Sequence, residues 1–219
     1  MTAQIGDIYR YQSKEYDMVA LSAPIPFHPK NYGLIPHESC TACHRGYWCT
    51  YTILDGHLVL NDLYLFNKDG NYPLLNGRDI SPQKFKEFLG CKKGGTELEP
   101  VLLPAYYGHR VYEEVNLLID YTGRILVGRT HTPTNHIEGI WNDPWRYKEL
   151  LEFVFDGGVL TDIIDQSETA RDIRKMIRTL ARSKPESHGT MGTFVRLDLG
   201  VLDLIGANLW WIDKQRSKP

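Results

Sequence analysis

Cys40, Cys43, His44 and Cys49 fall within the ten residues CTACHRGYWC, and no other short stretch of the chain gathers as many reactive side chains. Cys40-x-x-Cys43-His44 is the spacing that fastens haem to c-type cytochromes, through two thioether links and one axial imidazole. The same C-x-x-C pair offers two thiolates to a tetrahedral zinc ion, with Cys49 near and Cys91, His37 or His44 available to complete the set. A nucleophilic thiol is the third option. Successive residues of an extended chain point to opposite faces, so Cys43 would need a base brought from a distance, such as His109 or His136, rather than His44.

Context separates these readings. Haem attachment is not expected, because the start MTAQIGDIYRYQ has no apolar leader for export and the motif runs straight into a predicted strand. Zinc lacks the second knuckle of a paired structural site, so Cys40, Cys43, Cys49 and Cys91 stand only as the metal alternative. The preferred reading is that the thiols are neutral, buried packing residues and that no cofactor is bound.

A second cluster lies in GRTHTPTNHIEG, where His131, His136 and Glu138 sit in a long polar loop. They are the candidates for acid, base or metal-ligand roles, since functional groups concentrate on loops held by a rigid scaffold. No H-E-x-x-H pattern is present, and a solvated loop is the plainer reading. Arg171, Arg174, Lys175, Arg178 and Arg182 would line one face of a helix, where they could grip phosphates. Glu168 and Asp172 lie at pairing distance on that face, and the chain carries a net charge of −2, so nucleic acid is not an expected partner.

These residues must be positioned by strands more than by helices. GDIYRYQSKEYDMVAL alternates about a polar turn at 12–15 and reads as a hairpin. Asp55-Gly56 is a strong turn signal between strands at 46–54 and 57–66. Thr122-Gly123 reads as the turn of a third hairpin, and DGG at 156–158 as that of a fourth. SPQKFKEFLG, with Pro82 at the first helical position and Gly90 as a stop, predicts a short helix. A longer helix over 166–182 opens with Asp165 and Glu168 as a capping box and buries Ala170, Ile173, Met176, Ile177 and Leu180. The SAPIPFHPKNYGLIP segment carries four prolines and predicts an extended connection.

The resulting expectation is an α+β fold: an antiparallel β-rich sheet or partial barrel built from hairpins, with one or two covering helices. Residues 1–184 form the main domain. Residues 185–219 form a tail whose Trp210 and Trp211 should pack on that domain or on a partner chain, and a homodimer is one such arrangement. With 42% apolar and 24% charged residues the chain is of ordinary globular composition, and no stretch reaches the roughly 18 apolar residues of a membrane span. A cytoplasmic location is expected.

Thirteen tyrosines and five tryptophans favour a contact surface, because these side chains bury area while keeping a polar handle. The leading functional reading is therefore a non-enzymatic binding protein, of the immunity or regulatory-inhibitor kind. It recognises a protein partner through an aromatic β-surface with Tyr47, Trp48, Trp141 and Trp145 as anchors. The alternative is a hydrolase-type enzyme, with or without zinc, whose site lies between the Cys40–Cys49 segment and the 130–138 loop.

Overall fold

The computed structural model describes residues 4–38, 40–67, 69–91, 98–132, 143–183 and 210–211. Among these residues there are eleven strands: β1 (Ile8–Tyr11), β2 (Lys14–Leu21), β3 (Tyr47–Leu54), β4 (His57–Leu65), β5 (Phe85–Cys91), β6 (Leu98–Pro104), β7 (Arg110–Tyr112), β8 (Leu117–Leu118), β9 (Gly123–His131), β10 (Tyr147–Asp156) and β11 (Val159–Asp165). A long helix, α1 (Ser167–Ser183), follows them.

Seven of the strands close a barrel in the order β11-β10-β9-β2-β1-β3-β4 and back to β11. Every pair is antiparallel except β1 with β3, which the proline-rich crossover between β2 and β3 makes parallel. The closing seam is short. Val159 faces His57, and two backbone hydrogen bonds flank the pair, from Leu58 to the Gly158 carbonyl (2.8 Å) and from Leu160 to that of Gly56 (2.7 Å). β-Bulges at Val19 of β2, Asn61 of β4 and Thr161 of β11 supply the local bending that closure requires.

The interior is aromatic and aliphatic. Tyr9 stacks on Tyr51 with ring centres 4.9 Å apart, and Tyr11 meets Phe153 edge-on at 5.3 Å. Leu58, Leu60, Leu63 and Leu65 of β4, Ile125 and Val127 of β9, and Phe155 of β10 fill the rest. Each such side chain contributes about 1.5–3 kcal/mol on burial, which makes this packing the main stabilising term. A second apolar layer lies outside the barrel. There Ala170, Ile173 and Ile177 of α1 cover Leu126 and Leu150, together with Trp211. At the helix entry the Asp165 carboxylate accepts from the Ser167 amide at 2.8 Å, while Glu168 lies on Arg171 instead of completing the expected capping box.

Two sequence expectations are corrected. SPQKFKEFLG is not helical: Phe85–Cys91 is β5, paired antiparallel with β6 from Phe85 opposite Pro104 to Cys91 opposite Leu98. A helix of two turns is marginal on its own, and cross-strand pairing with an apolar partner segment outweighs its weak start and stop signals. Thr122-Gly123 does not turn a hairpin either. β8 pairs with β4, whereas β9 pairs with β2 and β10, so the chain leaves one wall of the barrel and enters another. Ile119 and Tyr121 are drawn into the core on the way. No helix among the described residues is long and apolar enough to cross a membrane.

Candidate functional site

Proline-rich chain and a tight turn deliver the cysteine segment to the start of β3. The turn is closed by hydrogen bonds from Cys43 to the Cys40 carbonyl and from Gly46 to that of Cys43. Gly46 is obligatory there: its φ is +74°, and a Cβ would collide with the His37 backbone. Cys43 is buried, with its thiol directed at the Tyr47 carbonyl at 3.6 Å, and Cys49 is buried in the barrel wall. Burial pushes both thiols above their ordinary pKa, the nearby Arg45 guanidinium only partly opposing it. Cys40 is half-exposed, and the exposed His44 ring lies 2.8 Å from the Glu38 carboxylate. Among the described residues no three His, Cys, Asp or Glu side chains are grouped so as to hold a metal. Cys91 lies on β5, and its side chain is outside the described residues.

A buried ion pair sits beside these thiols. Asp7 is 2% exposed and takes a two-pronged contact from Arg45, together with the Cys49 amide at 2.7 Å. Arg45 also donates to the Tyr47 carbonyl at 2.6 Å and lies over the Tyr47 ring. Burial opposes the guanidinium charge, yet the adjoining carboxylate holds its pKa above the ordinary value. Asp7 and Arg45 thus fasten the chain preceding β1 to the turn entering β3, which is a structural task.

His131 ends β9, with its ring against Tyr147 (4.3 Å between centres) and Nε2 3.6 Å from Asp17. His136, Glu138 and Trp141 lie outside the described residues. The cysteine turn and His131 are not brought together. Asp7 sits opposite Met18, which faces Val127; the turn hangs on Ile5 at one end of these strands, and His131 extends past the other.

The aromatic anchors are packed rather than presented. Tyr47 is 4% and Trp48 6% exposed. Trp48 stacks on Tyr64 at 4.8 Å, nearly parallel, and meets the buried His109 edge-on at 4.6 Å. Trp145 is half-buried against the α1 cluster, and its carbonyl accepts from Arg174 at 2.7 Å. The basic helix face is largely occupied as well, with Arg171 on Glu168, Lys175 on Asp172 and Arg174 turned inward.

Two surface features escape a reading along the chain, because they are assembled across strands. At the barrel seam, Leu54 of β3 faces His57 of β4, His57 faces Val159 of β11, and Val159 faces Asp156 of β10. Leu118 of β8 joins this row two residues along β4, opposite Val59. Leu54, Leu118 and Val159 are 54%, 65% and 42% exposed, so three strands place a group of large apolar side chains on one outer face. Beside it lies an open polar cleft of about 590 Å³, with Arg10, Asp62, Arg78, Asp79, Glu113 and Glu114 in its walls. No family model, curated protein or solved structure matches this chain.

Proposed function

We propose that this chain is a binding protein whose contact surface is the outer face of the barrel seam. The observation that carries this reading is the convergence of Leu54 and Val159 at the closure with Leu118 of the adjoining β8. Large apolar side chains scattered singly are ordinary, but grouped on a rigid sheet they form the centre of a contact patch. Strand residues hold such a patch in place before the partner arrives, which lowers the ordering cost of association. Tyr47 and Trp48 do not belong to this patch, since both are buried and lie at the other end of β3 from Leu54.

The enzymatic alternative has no comparable support among the described residues: the cysteine turn and His131 stand at separate ends of the same strands, and both buried thiols are held neutral. The test is a Leu54→Ser, Leu118→Ser double variant. A partner isolated with the native chain and then reconstituted with purified protein should bind the variant at least about tenfold more weakly, the loss expected when a contact centre is removed. Unchanged affinity, with unchanged thermal stability, would place the contact surface elsewhere.

A further inference from the structure

Building on the seam reading, we propose that the partner is a protein segment both apolar and cationic. Its apolar side chains cover Leu54, Leu118 and Val159, and a lysine or arginine enters the adjoining cleft. The two features form one strip. Residues 113–118 run along the edge of β4, with the Glu114 amide on the Asp62 carboxylate (3.1 Å), the Val115 amide on the Asn61 carbonyl (2.7 Å) and Leu118 opposite Val59. A single extended segment can therefore reach both.

The charge of the strip is one-sided. Arg10 is shared between Glu15 and Asp62, Arg78 lies on Glu114, and Lys84 is engaged by Glu113. Arg110 is turned to the Ser81 carbonyl and the Tyr72 ring. Among the described residues, exposed Asp55, Asp79, Asp120 and Asp156 form no ion pair. Asp79 lines the cleft, Asp55 follows Leu54, Asp156 faces Val159, and Asp120 lies beside the Gly157 turn. Carboxylate thus exceeds cation along this face although the whole chain carries only −2. Such a field attracts a basic partner and rejects an acidic one. It also disfavours a second copy of this chain, because a twofold contact would set the strip against itself, like charge on like.

The experiment records amide shifts of the isotope-labelled full chain on adding nine-residue peptides that alternate leucine with arginine, serine or glutamate. The arginine peptide is expected to shift residues 54–59, 113–120 and 156–160. Its affinity should fall about tenfold between low salt and ~0.3 M, where screening is nearly complete. Asp79→Asn with Asp120→Asn should weaken it about fivefold and leave the serine peptide unaffected. Equal binding of the arginine and serine peptides, both abolished by Leu118→Lys, overturns the cationic partner while leaving the seam a contact surface. If no peptide moves the seam amides, the seam reading itself falls. A doubling of mass in light scattering with the same amides shifted assigns the surface to a second copy and overturns the proposal.

Discussion

Asp7 and Arg45 meet inside the barrel wall with both guanidinium prongs on the two carboxylate oxygens, and the Cys49 amide adds a third donor to Asp7. A carboxylate this deeply buried is tolerable only while it is paired. Asp7→Asn leaves Arg45 without its counter-ion and should cost about 3–5 kcal/mol, as removal of one partner of a buried pair does. Asp7→Asn with Arg45→Met should recover part of the loss. Urea titrations with an unchanged denaturant slope check both, and an Asp7→Asn midpoint equal to the native one contradicts the assignment.

Glu149 joins three strands, accepting from Lys14 (3.0 Å), Tyr16 (2.7 Å) and Arg129 (3.3 Å). Partial burial raises its pKa, but these donors outweigh it and hold the group below its ordinary value of 4.5. A carboxylate depressed in the folded state stabilises fully above its unfolded pKa and loses that contribution as pH falls through the folded one. Stability should therefore decline on acidification below about pH 4.5, with Glu149→Gln flattening the decline. Because the site is only partly shielded, the effect at neutral pH should be about 0.5–1 kcal/mol. Burial, helped by the same contact, pushes the Tyr16 phenol up to about 12, so its ultraviolet titration should move down in the Gln variant.

Gly128 is required by Tyr147, whose ring lies where a Cβ would project. Gly128 does not have a positive φ, so the restriction is space rather than backbone strain. Gly128→Ala should cost about 1–3 kcal/mol by overpacking, and trimming the ring with Tyr147→Leu should make the alanine tolerable. A thermal scan of the single and double variants decides this, and additivity of the two changes would refute the contact.

Much of the barrel is legible in the chain, for local reasons. Asp55-Gly56 and Gly157-Gly158 carry their turns in residues that accept positive φ, at +49°, +79°, +54° and +80°, so both hairpins follow from types and spacing. The α1 stripe of Ala170, Ile173 and Ile177 is legible from its period. Pairing between distant segments is not. Nothing local in SPQKFKEFLG announces that residues 98–104 lie beside it, and nothing local around Thr122 shows that β8 belongs to β4. The seam is hidden for the same reason: Leu118 reaches β4 only through its pairing with Val59, and Val159 only when the barrel closes on His57. Residue type also misleads where burial decides the role, as with Tyr47 and Trp48.

The thiols should react in the order of their exposure. Cys40 is half-exposed, whereas Cys43 and Cys49 are buried and raised in pKa by the loss of solvent. Of these three, iodoacetamide at pH 8 should modify Cys40 first and Cys43 slowly, and reach Cys49 only on unfolding, because the thiolate is the reacting form. Peptide mass mapping over time reads each site separately. Early labelling of Cys49 would mean that the wall of the barrel opens readily there.

Trp48 offers the sharpest contrast between a packing role and a contact role. Its ring lies between Tyr64 and His109 with little surface left to water, so Trp48→Ala should cost about 3–5 kcal/mol through the cavity it leaves. Trp48→Phe keeps a ring in the stack and should recover most of that. A contact anchor behaves oppositely: Leu118, at 65% exposure, can become serine with little change in stability, because little is buried there to lose. Measuring partner affinity and melting temperature on the same variants separates the two. Trp48→Ala should lose stability first and affinity only with it, and Leu118→Ser should lose affinity alone. The reverse pattern would return the contact surface to the aromatic residues of β3.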